Sequence, residues 1–330
     1  MPWARLTHLN FHQICPEPWP CGETKLSNPK PQLSAAQTRR THLRFLLPFA
    51  CAGISANASL SAFAQTVSNP QKRPKLVTVG GAITEIVYQL GAQAQLVGTD
   101  TTSLFPHAAT LTPKVGYMRQ LSAEGLLSLK PEALISTTEA GPPVVLDQIR
   151  MAGVRVELIE ADHTWAEVQR KVRAVGRAAA LEREAQQLQA QLDAAFADAQ
   201  RLVFKHSGAK PRVLFILAHG QSPSVSGEGT GADAVIKLMG GKNALGGFKN
   251  YRPMTAEALA AAAPDVILTS SQGIQAQGGE DKFWSRPELA LTPAYKRRAL
   301  IHMEALKLIG FGPRLPEALR ELHTRMLGFA

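Results

Sequence analysis

The chain is predicted to be an α/β protein: two similar Rossmann-like lobes joined by one long α-helix, with a ligand cleft between the lobes. Three observations predict this. First, Leu121-Ser122-Ala123-Glu124-Gly125-Leu126 leads to Pro131-Glu132-Ala133-Leu134-Ile135-Ser136-Thr137. Met254-Thr255-Ala256-Glu257-Ala258-Leu259 leads to Pro264-Asp265-Val266-Ile267-Leu268-Thr269-Ser270 at the same internal spacing. Each copy reads as a Ser/Thr N-cap, a short helix, a proline break and a buried strand. Second, a looser echo precedes each copy, Gly81-Ala82-Ile83-Thr84-Glu85-Ile86-Val87 upstream of the first and Gly231-Ala232-Asp233-Ala234-Val235-Ile236 upstream of the second. Third, Leu181, Ala185, Leu188, Leu192, Phe196, Ala199 and Leu202 recur three or four apart with no Gly or Pro between them. That is one amphipathic helix of about 25 residues, a stiff strut rather than a hinge.

The elements follow in order. Residues 1–64 read as an extension and an export signal. Arg39-Arg40-Thr41-His42-Leu43-Arg44 is a basic run, Phe45 to Ala62 is small and apolar, and Ala62-Phe63-Ala64 precedes Gln65. This is the pattern of a secretory signal peptide cleaved after Ala64, through either the general or the twin-arginine route, and it points to the periplasm. Cys51 is a poor match to a lipidation site. Lys75 to Val79 reads as a first strand, turning through Gly80-Gly81 into a helix that runs to Leu90. Gln95 to Gly98, Ala133 to Thr137 and Arg155 to Ile159 read as further strands, and the alternation with helices predicts parallel sheets. Arg212 to Ala218, Asp265 to Ser270 and Ala299 to Met303 repeat the pattern, and Pro316 to Leu327 closes the chain as a helix. The expected boundaries are 75–179 for the first lobe, 180–206 for the helix and 211–330 for the second lobe.

Composition narrows the function. At 45% hydrophobic and 19% charged the chain is globular, and no apolar run reaches the about 20 residues of a membrane-spanning helix. All three cysteines lie before Gln65, so the exported form would contain neither disulfides nor thiolate ligands. The net charge of +10 shrinks when the basic leader is removed. What remains, without Lys/Arg runs or interleaved aromatics, argues against nucleic acid and suits a small anionic ligand. Gly80-Gly81 lacks the dinucleotide fingerprint and the Gly-Lys-Ser/Thr ending, and no nucleophile elbow, H-E-x-x-H or C-x-x-C is present, so an enzyme is not expected.

If the two lobes face one another, the residues just before each repeated unit face the cleft. In the first lobe these are Tyr117-Met118-Arg119, and in the second Asn250-Tyr251-Arg252. A phenol and a guanidinium on one side, with a guanidinium on the other, are a specific chemical offer. Arginines suit carboxylates, which they hold through paired hydrogen bonds.

Particular strings sharpen this. Val79-Gly80-Gly81-Ala82-Ile83-Thr84-Glu85, Gly116-Tyr117-Met118-Arg119-Gln120-Leu121, Tyr251-Arg252-Pro253-Met254-Thr255-Ala256-Glu257 and Gly310-Phe311-Gly312-Pro313-Arg314 resemble the haem-binding branch of the cluster A (class III) periplasmic binding proteins. The resemblance spans Lys75 to the C-terminus. It implies a monomeric protein that captures haem and delivers it to the permease and ATPase of an ABC importer. By the same resemblance Tyr117 is the haem iron ligand, with Arg119 bonded to its oxygen, and Arg252 and Tyr251 contact the haem and its propionates. His219 is a candidate second haem ligand, and Glu85 and Asp233 are lobe-tip acids that would meet the permease. Gln272 stands where some relatives place an arginine. His163 and His302 are read as structural. A ferric-siderophore or cobalamin binding protein of the same fold, and a secreted α/β hydrolase, remain as alternative readings.

Overall fold

The computed structural model describes residues 73–218 and 223–329. The expectations for the leader, its cysteines and its cleavage therefore lie outside the described residues, as does His219.

The first lobe comprises β1 (Leu76–Thr78), α1 (Gly81–Gln89), β2 (Leu96–Thr99), β3 (Gly116–Tyr117), β4 (Gln120–Leu121), α2 (Ala123–Ser128), β5 (Ala133–Thr137), α3 (Pro143–Met151), β6 (Arg155–Ile159) and α4 (Trp165–Ala179). Its sheet is parallel throughout, in the order β2-β1-β5-β6. β5 is buried along its whole length, as expected of a central parallel strand covered on both faces. β3 and β4 stand apart as a small hairpin in which Tyr117 pairs with Gln120.

The long helix α5 (Glu182–Lys205) spans 24 residues, about 36 Å at 1.5 Å per residue. Its N-terminal half packs Ala185, Leu188 and Leu192 into the core of the first lobe. Its C-terminal half packs Phe196 and Ala199 into the core of the second. Trp165 stacks on Phe196 with ring centroids 4.3 Å apart and donates Nε1–H to Asp193 Oδ1 at 2.7 Å. A Cβ on Gly176 of α4 would collide with Ala185 of α5, so glycine is what lets the two helices approach so closely. Leu202 departs from the expected apolar stripe and is 39% exposed.

The second lobe follows with β7 (Arg212–Leu217), β8 (Ser224–Ser226), α6 (Gly231–Leu238), β9 (Lys242–Asn243), β10 (Tyr251–Pro253), α7 (Ala256–Ala262), β11 (Val266–Ser270), α8 (Ser271–Ala276), α9 (Glu280–Trp284), α10 (Pro293–Arg297), β12 (Leu300–Met303), α11 (Ala305–Ile309) and α12 (Leu315–Leu327). Its sheet runs β10-β8-β7-β11-β12, with β9 beside β7. β7, β9, β11 and β12 are parallel, but β8 is antiparallel to β7 and β10 antiparallel to β8. This corrects the expectation of parallel sheets in both lobes. The few residues between β7 and β8 are too short for a parallel crossover, which needs about a dozen.

The sequence echo is an echo of structure. Ser122 Oγ accepts from Gly125 N at the start of α2, and Thr255 Oγ1 accepts from Ala258 N at the start of α7. Each helix then leads into a central strand, β5 or β11.

Candidate functional site

Parallel strands of α/β sheets present their carboxyl ends to ligands, and both sheets do so toward one cleft. Gly80 and Gly81 follow β1, Thr102 and Leu104 follow β2, and Glu139 follows β5 on one side. Gln272 follows β11 and Glu304 follows β12 on the other. The cleft encloses about 490 Å³, within the about 300–1,000 Å³ usual for small-molecule and cofactor sites.

On the first-lobe wall, the β3–β4 hairpin presents Tyr117, 39% exposed. Arg119 Nη1 donates to Tyr117 Oη at 3.0 Å, and Arg119 Nη2 donates to Glu139 Oε1 at 2.8 Å. The expected pairing of Tyr117 with Arg119 is thus present, and a carboxylate that sequence reasoning missed completes it. The signal was available: Glu139 lies two residues past β5, where such folds gather ligand-facing groups.

The floor of the cleft is formed by α4. Lys171, buried, bonds Glu167 at 2.6 Å and donates to the carbonyls of Gly310 at 3.2 Å and Phe311 at 3.0 Å. Burial pushes its ammonium below the ordinary lysine value, opposed by the Glu167 carboxylate. His163, set aside in the sequence as structural, lines the cleft and packs its ring against Phe311 with centroids 5.3 Å apart. Thr137 Oγ1, buried at the end of β5, has no hydrogen-bond partner among the described residues, so a polar group remains on the cleft wall for a ligand.

The second lobe treats its two candidates differently. Successive residues of a strand point to opposite faces. Tyr251 packs on Phe215, and burial pushes its phenol up, against a hydrogen bond with Thr230. Tyr251 is 38% exposed and is not among the cleft-lining residues. Arg252 lies 3.8 Å over the ring of Phe248 and likewise does not line the cleft. Gln272 lines the cleft, and its Oε1 accepts from Ala305 N at 3.0 Å.

A sequence profile of the periplasmic binding protein family matches residues 76–305. The chain belongs to the periplasmic binding protein family. Among solved structures it is similar to the periplasmic haem-binding protein BhuT in complex with two haems, with 41% identity over 77% of this chain and 97% of that one, at a TM-score of 0.73. It is also similar to the apo form of the haem-binding protein RhuT from Roseiflexus sp. RS-1, with 36% identity over 78% and 98% of the two chains and a TM-score of 0.73. The haem-binding protein HutB of Vibrio cholerae matches with 32% identity over 76% and 97%, at 0.67. A curated relative is an uncharacterized ABC transporter substrate-binding lipoprotein, YvrC of Bacillus subtilis (strain 168), 26% identical over 78% of this chain and 81% of its own. The family expected from the Val79, Gly116, Tyr251 and Gly310 strings, and the two-lobed α/β fold expected from the repeats, are borne out.

For a periplasmic binding protein, the placement of surface acids matters, and here one expectation is corrected. Glu85 and Asp233, read as lobe-tip acids for a permease, are both buried and engaged within the chain. Glu85 is 2% exposed and accepts from Arg314 Nε at 2.8 Å. Asp233 is 3% exposed and accepts from Gly229 N, Lys237 Nζ and Asn243 Nδ2. Asp233 lies in the first turn of α6 and is spent there on local structure, whereas Glu85, one turn further into α1, is held by Arg314 from the second lobe. The exposed acids at matched positions are Glu124 and Glu257, in the first turns of α2 and α7, with no ion-pair partner among the described residues. Both were visible in the repeated strings.

Proposed function

We propose that this protein captures ferric haem in the interlobe cleft, with the Tyr117 phenolate on the iron, and delivers it from the periplasm to the permease and ATPase of an ABC importer. The observation that carries the reading is the 3.0 Å hydrogen bond from Arg119 to the Tyr117 oxygen on the cleft wall. An anionic oxygen suits ferric iron, and a guanidinium beside it compensates the phenolate charge. Ile83, Leu104, Met118, Leu306 and Phe311 supply apolar surface for a macrocycle. The Thr137 hydroxyl offers a hydrogen bond to the cargo. Arg252 is exposed and has no carboxylate partner among the described residues. Turning off Phe248, it would reach a propionate as haem enters.

Delivery is assigned to Glu124 and Glu257, one on each lobe, each in the first turn of the capped helix that opens the repeated unit. Such a matched pair of free carboxylates suits two guanidinium groups on a permease.

Titration of the purified protein with hemin tests the capture. The expected product is a ferric high-spin complex with a phenolate-to-iron charge-transfer band. Tyr117→Phe keeps the ring and removes the oxygen, so that band should vanish. An unchanged spectrum in the variant rejects Tyr117 as the ligand.

A further inference from the structure

Glu139 is an unexpected group to find here. Haem carries two propionates, and a free carboxylate on the wall of its cleft would repel them. The Glu139 side chain is 40% exposed, and among the described residues its one ion-pair partner is Arg119, at 2.8 Å. An exposed pair of this kind contributes little to stability, so its meaning lies in what Arg119 does with its other amine. A guanidinium is a rigid planar fork. With Nη2 held by Glu139, Nη1 is directed at the Tyr117 oxygen, 3.0 Å away.

The backbone builds this arrangement in. Gly141 N donates to Met118 O at 2.9 Å and Leu121 N donates to Gly141 O at 3.0 Å, which stitches the turn after β5 to the Tyr117 hairpin. Ala140 N donates to Thr137 O at 3.0 Å within the same turn. Glu139 is therefore carried beside Arg119 by main-chain hydrogen bonds that do not involve its own side chain.

We propose that Glu139 is a positioning residue for haem capture: it orients Arg119 and takes a share of its charge, so that Tyr117 remains a strong donor to ferric iron. Without Glu139 the full guanidinium charge would fall on the phenolate oxygen, draw electron density from it and weaken the iron–oxygen bond. The inference rests on the reading of Tyr117 as the iron ligand.

The test compares Glu139→Gln, Glu139→Asp and Arg119→Ala in the hemin-loaded protein, with apomyoglobin as the acceptor that reads haem loss. Glu139→Gln keeps an acceptor for Arg119 but removes the charge. Its charge-transfer band should move to higher energy and haem should leave about fivefold faster, the size expected of one partly screened unit charge. Arg119→Ala should move the band the opposite way, because it frees the phenolate oxygen. Glu139→Asp should return the band toward the parent. The melting temperature of the haem-free Glu139→Gln protein should match the parent, which separates positioning from folding. A band and a rate identical to the parent in Glu139→Gln would overturn the proposal, as would a shift in the same direction as Arg119→Ala. If Tyr117→Phe leaves the spectrum unchanged, the ligand reading itself fails and Glu139 loses its role with it. If Tyr117→Phe abolishes the band while Glu139→Gln does nothing, only the role of Glu139 falls.

Discussion

Arg314 Nε donates to Glu85 Oε1 at 2.8 Å, and through this bond the last helix of the second lobe holds the first helix of the first. Arg314 Nη2 reaches Glu304 at 3.0 Å, and its guanidinium lies 3.8 Å over the ring of Phe105. Beside it, a Cβ on Gly81 would sit 2.8 Å from Leu306 Cδ2 of the other lobe, and Lys171 bonds two carbonyls of the second lobe. The lobes are pinned together behind the cleft as well as spanned by α5.

Removing one partner of a buried ion pair strands the other. Arg314→Ala should cost about 3 kcal/mol, because Glu85 would be left buried without its cation. Spin labels on α3 and α9 should show a broader interlobe distance in this variant, whereas free and haem-loaded parent protein should give nearly the same distance. A large closing motion in the parent would contradict the pinning.

Burial raises Glu85 above its ordinary value of 4.5, against the pull of Arg314. A carboxyl whose value is raised on folding contributes stability fully present below the unfolded value and lost as pH rises through the folded one. Glu85→Gln is neutral at every pH and lacks that contribution. The parent should therefore exceed Glu85→Gln in melting temperature by more at pH 4.5 than at pH 8, by about a few degrees. A gap that is instead wider at pH 8 would show that Arg314, not burial, dominates this carboxyl.

In the sequence His219 comes two residues after Leu217, the last residue of β7, and it remains a proposed second haem ligand. As a second haem ligand it should give the protein either a second equivalent of bound hemin or a second coordination mode. Hemin titration of His219→Ala should lose one of these. Superimposable curves for variant and parent would make His219 a structural residue.

Glu124→Lys combined with Glu257→Lys should abolish haem-dependent growth of a strain that carries the cognate importer, while hemin binding in solution stays within about twofold, since both charges are exposed, lie off the cleft lining and are screened by salt. The same reversal at Glu85 or Asp233 should unfold or loosen the protein instead, because both carboxylates are buried. Normal growth with the Glu124/Glu257 double variant would remove these residues from docking.

Much of the architecture was legible along the chain. β5 and β6 begin and end where the apolar runs do, and α5 follows from the three-or-four spacing of Leu181 through Ala199, because local periodicity reports which face is buried. Tyr117 and Arg119 were legible as a pair because a tight turn keeps residues two apart within reach of each other, and Arg119 sits in the turn that follows Tyr117. Strands β8 and β10 were not, because three-residue segments carry too little periodicity to register.

The sequence by itself determined the duplicated α/β plan, the long strut and the family, since each depends on spacing within a few consecutive turns or strands. Only the tertiary structure decided which charges are free and which are committed. Glu85 and Arg314 lie far apart in sequence, as do Lys171 and the carbonyls of Gly310 and Phe311, and Glu139 reaches Arg119 only because the turn after β5 is bonded to the Tyr117 hairpin. A carboxylate looks alike in sequence whether it faces water or a buried cation. Its surroundings, made by chain segments that meet only on folding, settle whether it stays free or is held by a partner.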